Sequence, residues 1–208
     1  MAFTNEKTSF RCAHIVYIFV FGDYKRKSQK MAILEMRIKE LEEKRIKIKR
    51  EDEAILFEQK INPLQKDLAK SSLIVIVFSA MAVEAYIYDY ASRHLGDAFV
   101  KDHLDKLDAA SKWVLVPMLI TGRELSRQQK WFELLKNLIK ARNSIIHHKS
   151  SEPPVAFPDM KKYLQKQRVN SETLLEVARQ SIDLLSILAD KITELDPEET
   201  PWGKLYLA

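Results

Sequence analysis

Arg142, Asn143 and His147 are the residues of this chain whose types and spacing point to chemistry. A guanidinium offers several N–H donors to a phosphate, and an imidazole moves protons near neutral pH. Together they point to phosphodiester chemistry. They lie late in a stretch whose apolar residues, Trp131, Leu134, Leu135, Leu138, Ile139, Ile145 and Ile146, mostly follow i, i+3, i+4 spacing. That pattern predicts an amphipathic helix from about Ser126 to His148. His148 is a second candidate for the proton-transfer role, and Lys136, Lys140 and Lys149 would supply charge for a polyanion. A histidine doublet at a helix end is also what the helix dipole favours with no chemistry at all.

Geometry constrains how this set could work. At about 100° per residue, positions 142 and 147 point roughly 140° apart on a regular helix. Either the helix loosens after Ser144, or two copies pool their residues across a twofold axis.

The elements that must position these residues read as helices. Four Gly and seven Pro among 208 residues, with 46% hydrophobic and 30% charged, suit an all-α fold of one domain with an extended arm. The single Cys12 excludes an intramolecular disulfide and is the basis for expecting a reducing, cytoplasmic setting. Net charge is +5, unevenly spread: residues 101–170 carry 14 Lys/Arg against 7 Asp/Glu, and residues 171–208 carry 3 against 8. The largest basic excess therefore surrounds Arg142 and His147. A basic region attracts polyanions such as RNA, although a solvated helix surface has the same composition.

Residues 1–30 form an N-terminal extension in which Ala13–Phe21 reads as a short buried strand or hydrophobic arm. Too short to span a bilayer, it leaves open a peripheral membrane contact through residues 13–27. From 31 to 61 a heptad-like row (Leu34, Ile38, Leu41, Arg45, Ile48, Asp52, Ile55) predicts an amphipathic helical arm that packs on its own domain or on a dimer partner. Asn62-Pro63 reads as a new helix start, opening a bundle over 62–196. Its first helix is apolar on every face from Leu73 to Tyr90 and stops at Gly96, the pattern of a central helix. Glu84 within it requires a partner. That partner could be Arg142 or a capping amide fixing register, or Glu84 could orient Arg142 or a histidine of the site. A less regular helix over 97–120 is predicted to end near Pro117. After a loop containing Phe157-Pro158, Asn170 or Ser171 caps a last helix whose face is Leu174, Leu175, Ala178, Ile182, Leu185, Leu188, Ala189 and Ile192. Asp196-Pro197 ends it, and an apolar tail (Trp202, Leu205, Tyr206) closes the chain. No glycine-rich phosphate loop or metal-ligand spacing is present in the sequence, so no metal or other cofactor is expected.

Residues 63–195 resemble the HEPN superfamily (higher eukaryotes and prokaryotes nucleotide-binding domains). The resemblance lies in the apolar helix Phe78–Tyr86 and in Arg142-Asn143-Ser144-Ile145-Ile146-His147, an Arg-x4-His motif with a polar residue directly after the arginine. It implies an up-and-down helical bundle of HEPN type, a homodimer, and a metal-independent endoribonuclease that serves as a toxin or antiviral defence effector. In that case Arg142 stabilises the scissile phosphate, His147 is general acid or base, and Asn143 holds or polarises. The RNA 2′-OH attacks the adjacent phosphate to leave a 2′,3′-cyclic phosphate. Partners implied are RNA and an antitoxin or other defence protein. The competing expectation is an inactive dimeric module binding RNA or protein.

Overall fold

The computed structural model describes residues 6–48, 50–147, 154, 156–199 and 201, with side chains described from residue 26 onward except at 157 and 158. His148, Lys149, Trp202, Leu205 and Tyr206 lie outside the described residues. The described chain is all-α. Its order is α1 (Glu6–Ile46), α2 (Glu51–Leu95), α3 (Asp97–Phe99) running into a π-helical turn (Val100–Leu104), α4 (Ala109–Thr121), α5 (Lys130–Ile146) and α6 (Phe157–Leu195).

Helix α2 is the axis, touched by α1, α4, α5 and α6. Val75, Ile76, Val83, Ile87 and Tyr90 are buried at its centre, against Trp113 of α4, Leu135 and Leu138 of α5, and Leu185, Leu188 and Ile192 of α6. Trp113 donates from Nε1 to the Val83 carbonyl at 3.1 Å, tying α4 to α2. The apolar stretch of α2 is long enough to cross a membrane by length and composition, yet 56% of that window is buried inside the protein. It is the core helix that its all-round apolar surface predicts.

Several boundaries differ from those read in the sequence, each for a physical reason. Ala13–Phe21 is not a strand; it lies within α1, whose helix runs unbroken from Glu6. The heptad-like row over 31–61 is not one helix, because the chain turns back between Ile46 and Glu51. Met31, Leu34 and Ile38 are buried in the common core. The two charged residues of the row serve the hairpin: Arg45 pairs across it with Glu58, and Asp52 takes Arg50 at 3.1 Å beside the turn. The arm therefore packs onto its own domain. Asn62-Pro63 does not start a helix, since Pro63 sits inside α2. An interior proline costs about 3 kcal/mol. Burial of Ile61 and Leu68 on either side, in the common core, offsets it.

Pro117 is likewise inside α4, which ends at Thr121, where Gly122 takes the left-handed φ of 71°. Helix α5 begins at Lys130 rather than Ser126; the preceding turn is held by the Trp131 indole donating to the Ser126 carbonyl at 3.1 Å. Phe157-Pro158 opens α6, with the proline in its first turn where no donor is required. Asn170 and Ser171 are consequently interior, and the Ser171 hydroxyl donates back to the Gln167 carbonyl at 2.9 Å. The predicted faces over 73–90 and 174–192 and the stops at Gly96 and Asp196 are where the sequence places them.

A polar clasp joins the ends of α2 and α6. Tyr90 donates to Asp196 at 2.9 Å, and Arg93 makes a bidentate pair with Glu199 at 2.8 and 3.0 Å. Burial, and then the Asp196 and Glu199 carboxylates, push the Tyr90 hydroxyl well above its ordinary pKa.

Candidate functional site

Arg142 sits on the last turns of α5, which the buried row Trp131, Leu134, Leu135, Leu138 and Ala141 presses onto the bundle. That packing turns position 142 toward α2 and leaves positions 136, 140, 143 and 147 on the outer edge. The Arg142 guanidinium donates from Nη2 to Glu84 of α2 at 3.4 Å and from Nη1 to the neighbouring Asn143 side chain at 3.0 Å. Its Nε is buried with no hydrogen-bond partner among the described residues. Such a donor is uncommon in a native protein and marks hydrogen-bonding capacity that a rearrangement on ligand binding can use.

Glu84 is not the buried carboxylate expected from the apolar helix around it: its side chain is 41% exposed, against 27% for Arg142. The pairing with Arg142 is present as anticipated. The cost of burying a carboxylate does not arise, because Glu84 lines an open groove rather than the core.

That groove, of about 650 Å³, runs between α2, α4 and α5. Arg142, Asn143 and Ile139 form one wall, Met81, Glu84 and Tyr88 the floor, and the approach to α4 the other wall. The π-helical turn shapes that last wall. Asp105 donates its backbone N–H to the Val100 carbonyl, five residues back, at 2.9 Å. This delivers Asp105, Leu107 and Asp108 to the groove edge. Asp108 then caps α4, accepting from the Ser111 backbone N–H at 3.1 Å and hydroxyl at 2.6 Å, and these bonds hold its carboxyl below the usual range. Lys112, one turn into α4, reaches back to the Asp105 carbonyl at 3.1 Å. Of these groove residues sequence reasoning singled out Glu84, Arg142 and Asn143. The signal for Asp108 was present, an aspartate three residues before a serine at a helix start. Nothing in the sequence marks the π turn.

His147 is not among the residues lining the groove. Helix α5 stays regular through Ile146, and the His147 backbone N–H still bonds to Asn143 O at 2.9 Å. The loosening after Ser144 does not occur. Within one chain Arg142 and His147 therefore keep their separate directions. His147 instead shares an exposed row with Lys136, Lys140 and Asn143, which fall within about 60° of one another around the helix. Lys136 lies 5.7 Å from the Phe132 ring centre and is otherwise exposed, as is Lys140.

Away from the groove, His94, Asp196 and Glu199 bring one imidazole and two carboxylates within 4.8 Å of one another. No ligand spacing in the sequence marks this set, because His94 comes from the end of α2 while Asp196 and Glu199 follow α6, about a hundred residues later. Comparison with protein-family models, curated proteins and solved structures finds no match to this chain.

Proposed function

We propose that the chain is a metal-independent endoribonuclease of HEPN type, acting as a toxin or antiviral defence effector, with its site at a homodimer interface. The observation that carries this reading is the position of Arg142. It stands at a groove wall beside Asn143, with an incompletely satisfied guanidinium, while Lys136, Lys140, Asn143 and His147 line the adjoining edge of the same helix. A phosphate held by Arg142 and Asn143 from one copy would meet His147 from the other, which removes the angular conflict within a single helix. A second copy also has a surface to use. Leu115, Met118 and Leu119 follow i, i+3, i+4 spacing along α4 and are between 38% and 51% exposed.

In this mechanism a His147 imidazole takes the proton of the RNA 2′-OH, and the oxygen attacks the adjacent phosphorus. The bond to the 5′-oxygen breaks as the imidazolium so formed returns the proton to that oxygen. The products are a 2′,3′-cyclic phosphate and a 5′-hydroxyl. Arg142 donates to the phosphate oxygens as charge builds on them.

The groove also supports a second reading, a catalytically inactive module that binds RNA or protein. Two cations, Lys112 and Arg142, share the groove with three carboxylates, Glu84, Asp105 and Asp108, so its walls are not a purely basic track. Incubation with total RNA and tRNA in EDTA separates the two. Cleavage that leaves cyclic-phosphate ends and is lost in folded Arg142→Ala and His147→Ala variants supports the enzyme. A folded dimer that leaves RNA intact supports the binding module.

A further inference from the structure

We infer that His94, Asp196 and Glu199 form a structural site for a divalent transition metal of the zinc class, locking the end of α6 to the end of α2. It is independent of the groove: ten residues separate His94 from Glu84 on α2, about 15 Å along the helix axis.

Donor chemistry comes first. One imidazole and two carboxylates suit zinc and its neighbours, whereas magnesium and calcium prefer oxygen alone. His94 Nε2 lies 4.0 Å from Glu199 Oε2, and all three ligand atoms fall within 4.8 Å of one another. Bonds of about 2.0–2.1 Å in a tetrahedron place ligand atoms ~3.3 Å apart, so closure needs only small side-chain shifts. The fourth position falls to water.

Charge makes the second case. Asp89, Asp196 and Glu199 bring three negative charges to the clasp, and Arg93 is the guanidinium that binds two of them, taking Asp89 through Nε at 2.9 Å and Glu199 through both Nη atoms. These four ionisable groups leave an excess of two negative charges. Both helices also end here; Arg123 donates to the Leu195 carbonyl and offsets the dipole at the end of α6, so the end of α2 is the one that adds to the field. One divalent ion matches that excess. The Glu199 side chain is only 9% exposed, so water screens this charge poorly.

Third, the ligands are already oriented by outer partners, as ligating carboxylates generally are. Tyr90 donates to Asp196 at 2.9 Å and Tyr86 to Glu199 at 3.3 Å. The His94 ring packs edge-on against Tyr90 with centroids 4.8 Å apart, which limits its rotation. Arg93 remains anchored on Asp89 while its Nη atoms hold Glu199, so one carboxylate can bridge guanidinium and metal.

The test uses the full chain, stripped with EDTA and desalted, titrated with zinc chloride by calorimetry and followed by thermal unfolding. One zinc per chain and a raised Tm are expected, with magnesium giving neither. His94→Gln should weaken binding at least tenfold and abolish the Tm shift, whereas His147→Ala/His148→Ala should retain both. Absence of one-to-one binding in the parent, unchanged binding in folded His94→Gln, or loss of binding in the His147/His148 double variant overturns the site. Should His94→Gln fail to fold, zinc K-edge absorption of the parent complex decides. A shell with one imidazole supports the site, and two or more overturn it.

Discussion

Glu84→Gln separates two roles that one ion pair combines: holding Arg142 in place and cancelling its charge. Glutamine keeps the shape and an oxygen acceptor, so the guanidinium stays at the groove wall while the negative charge goes. The cost to folding is small, because Glu84 and Arg142 are 41% and 27% exposed and 3.4 Å apart. A pair this open contributes at most ~1 kcal/mol. The gain for RNA follows from Coulomb's law. A carboxylate ~7 Å from a phosphate bound by Arg142 repels it by ~0.6 kcal/mol in bulk water and ~2.4 kcal/mol at an effective dielectric of about 20. A middle value near 1 kcal/mol corresponds to about fivefold tighter binding. Fluorescence anisotropy with a labelled single-stranded RNA, in a His147→Ala background to prevent cleavage, measures this at ~50 mM salt. The advantage should largely vanish at ~500 mM, where the screening length falls below that separation. Unchanged or weaker binding in Glu84→Gln, with the fold intact, refutes the charge-masking role and leaves Glu84 as a positioning residue. Loss of more than ~2 kcal/mol in urea unfolding refutes the premise that the pair is open to solvent.

Other expectations follow from the same geometry. Folded His147→Ala should lose at least ~100-fold in RNA cleavage rate, the usual contribution of a general acid or base; retention of more than a tenth of parental activity counts against the assignment. Leu119→Arg, on the exposed row of α4, should shift light-scattering mass from dimer to monomer and abolish cleavage together, and a fully active monomer would break the link between the interface and the site. Trp113→Phe removes the indole bond to Val83 and leaves roughly 40 Å³ unfilled, a loss of ~2 kcal/mol read as a lower urea midpoint at constant slope. Asp108→Ala should cost about 1 kcal/mol at pH 7 as a lost N-cap. Because bonds to Ser111 depress the folded pKa of Asp108, its contribution is full above the unfolded value near ~3.9 and is lost as pH falls through the folded value. The gap between parent and variant should therefore close in that acid window, and a gap independent of pH would show that the charged cap is not what stabilises α4.

Periodicity carried the fold where burial is one-sided or complete. The faces of α2 over 73–90 and of α6 over 174–192 were legible because apolar residues recur at helical spacing and end at Gly96 and Asp196. Punctuation failed where packing outweighs it. Pro63 and Pro117 each remove a backbone donor inside a helix, yet both helices continue, because the residues around them are pinned in the core. The break between Ile46 and Glu51 was missed in the opposite sense. The charged, helix-favouring residues on either side of it look like uninterrupted helix, and only the return of α2 along α1 favours the break. A row of Leu34, Ile38 and Leu41 predicts a partner helix equally well whether that helix is 20 residues away in the same chain or on another molecule.

The site was legible in composition but not in shape. Arg142 and Asn143 could be named because a guanidinium suits a phosphate and a polar residue directly follows it, and Glu84 because a carboxylate on an apolar helix demands a partner; in the fold Arg142 meets both others. The groove itself depends on the π-helical turn at Val100–Leu104, whose five-residue bond to Asp105 leaves no mark on the sequence. His147 shows the limit most clearly. Spacing alone fixes its direction relative to Arg142 at roughly 140°, and the regular α5 preserves that angle to the end of the helix. On one regular helix His147 therefore points away from a phosphate held by Arg142. If these two residues act on one phosphodiester, the second member must come from a second chain. Mixing inactive Arg142→Ala with inactive His147→Ala protein is then decisive: heterodimers should regain part of the parental cleavage, and a mixture that stays silent despite subunit exchange excludes a site shared in this way.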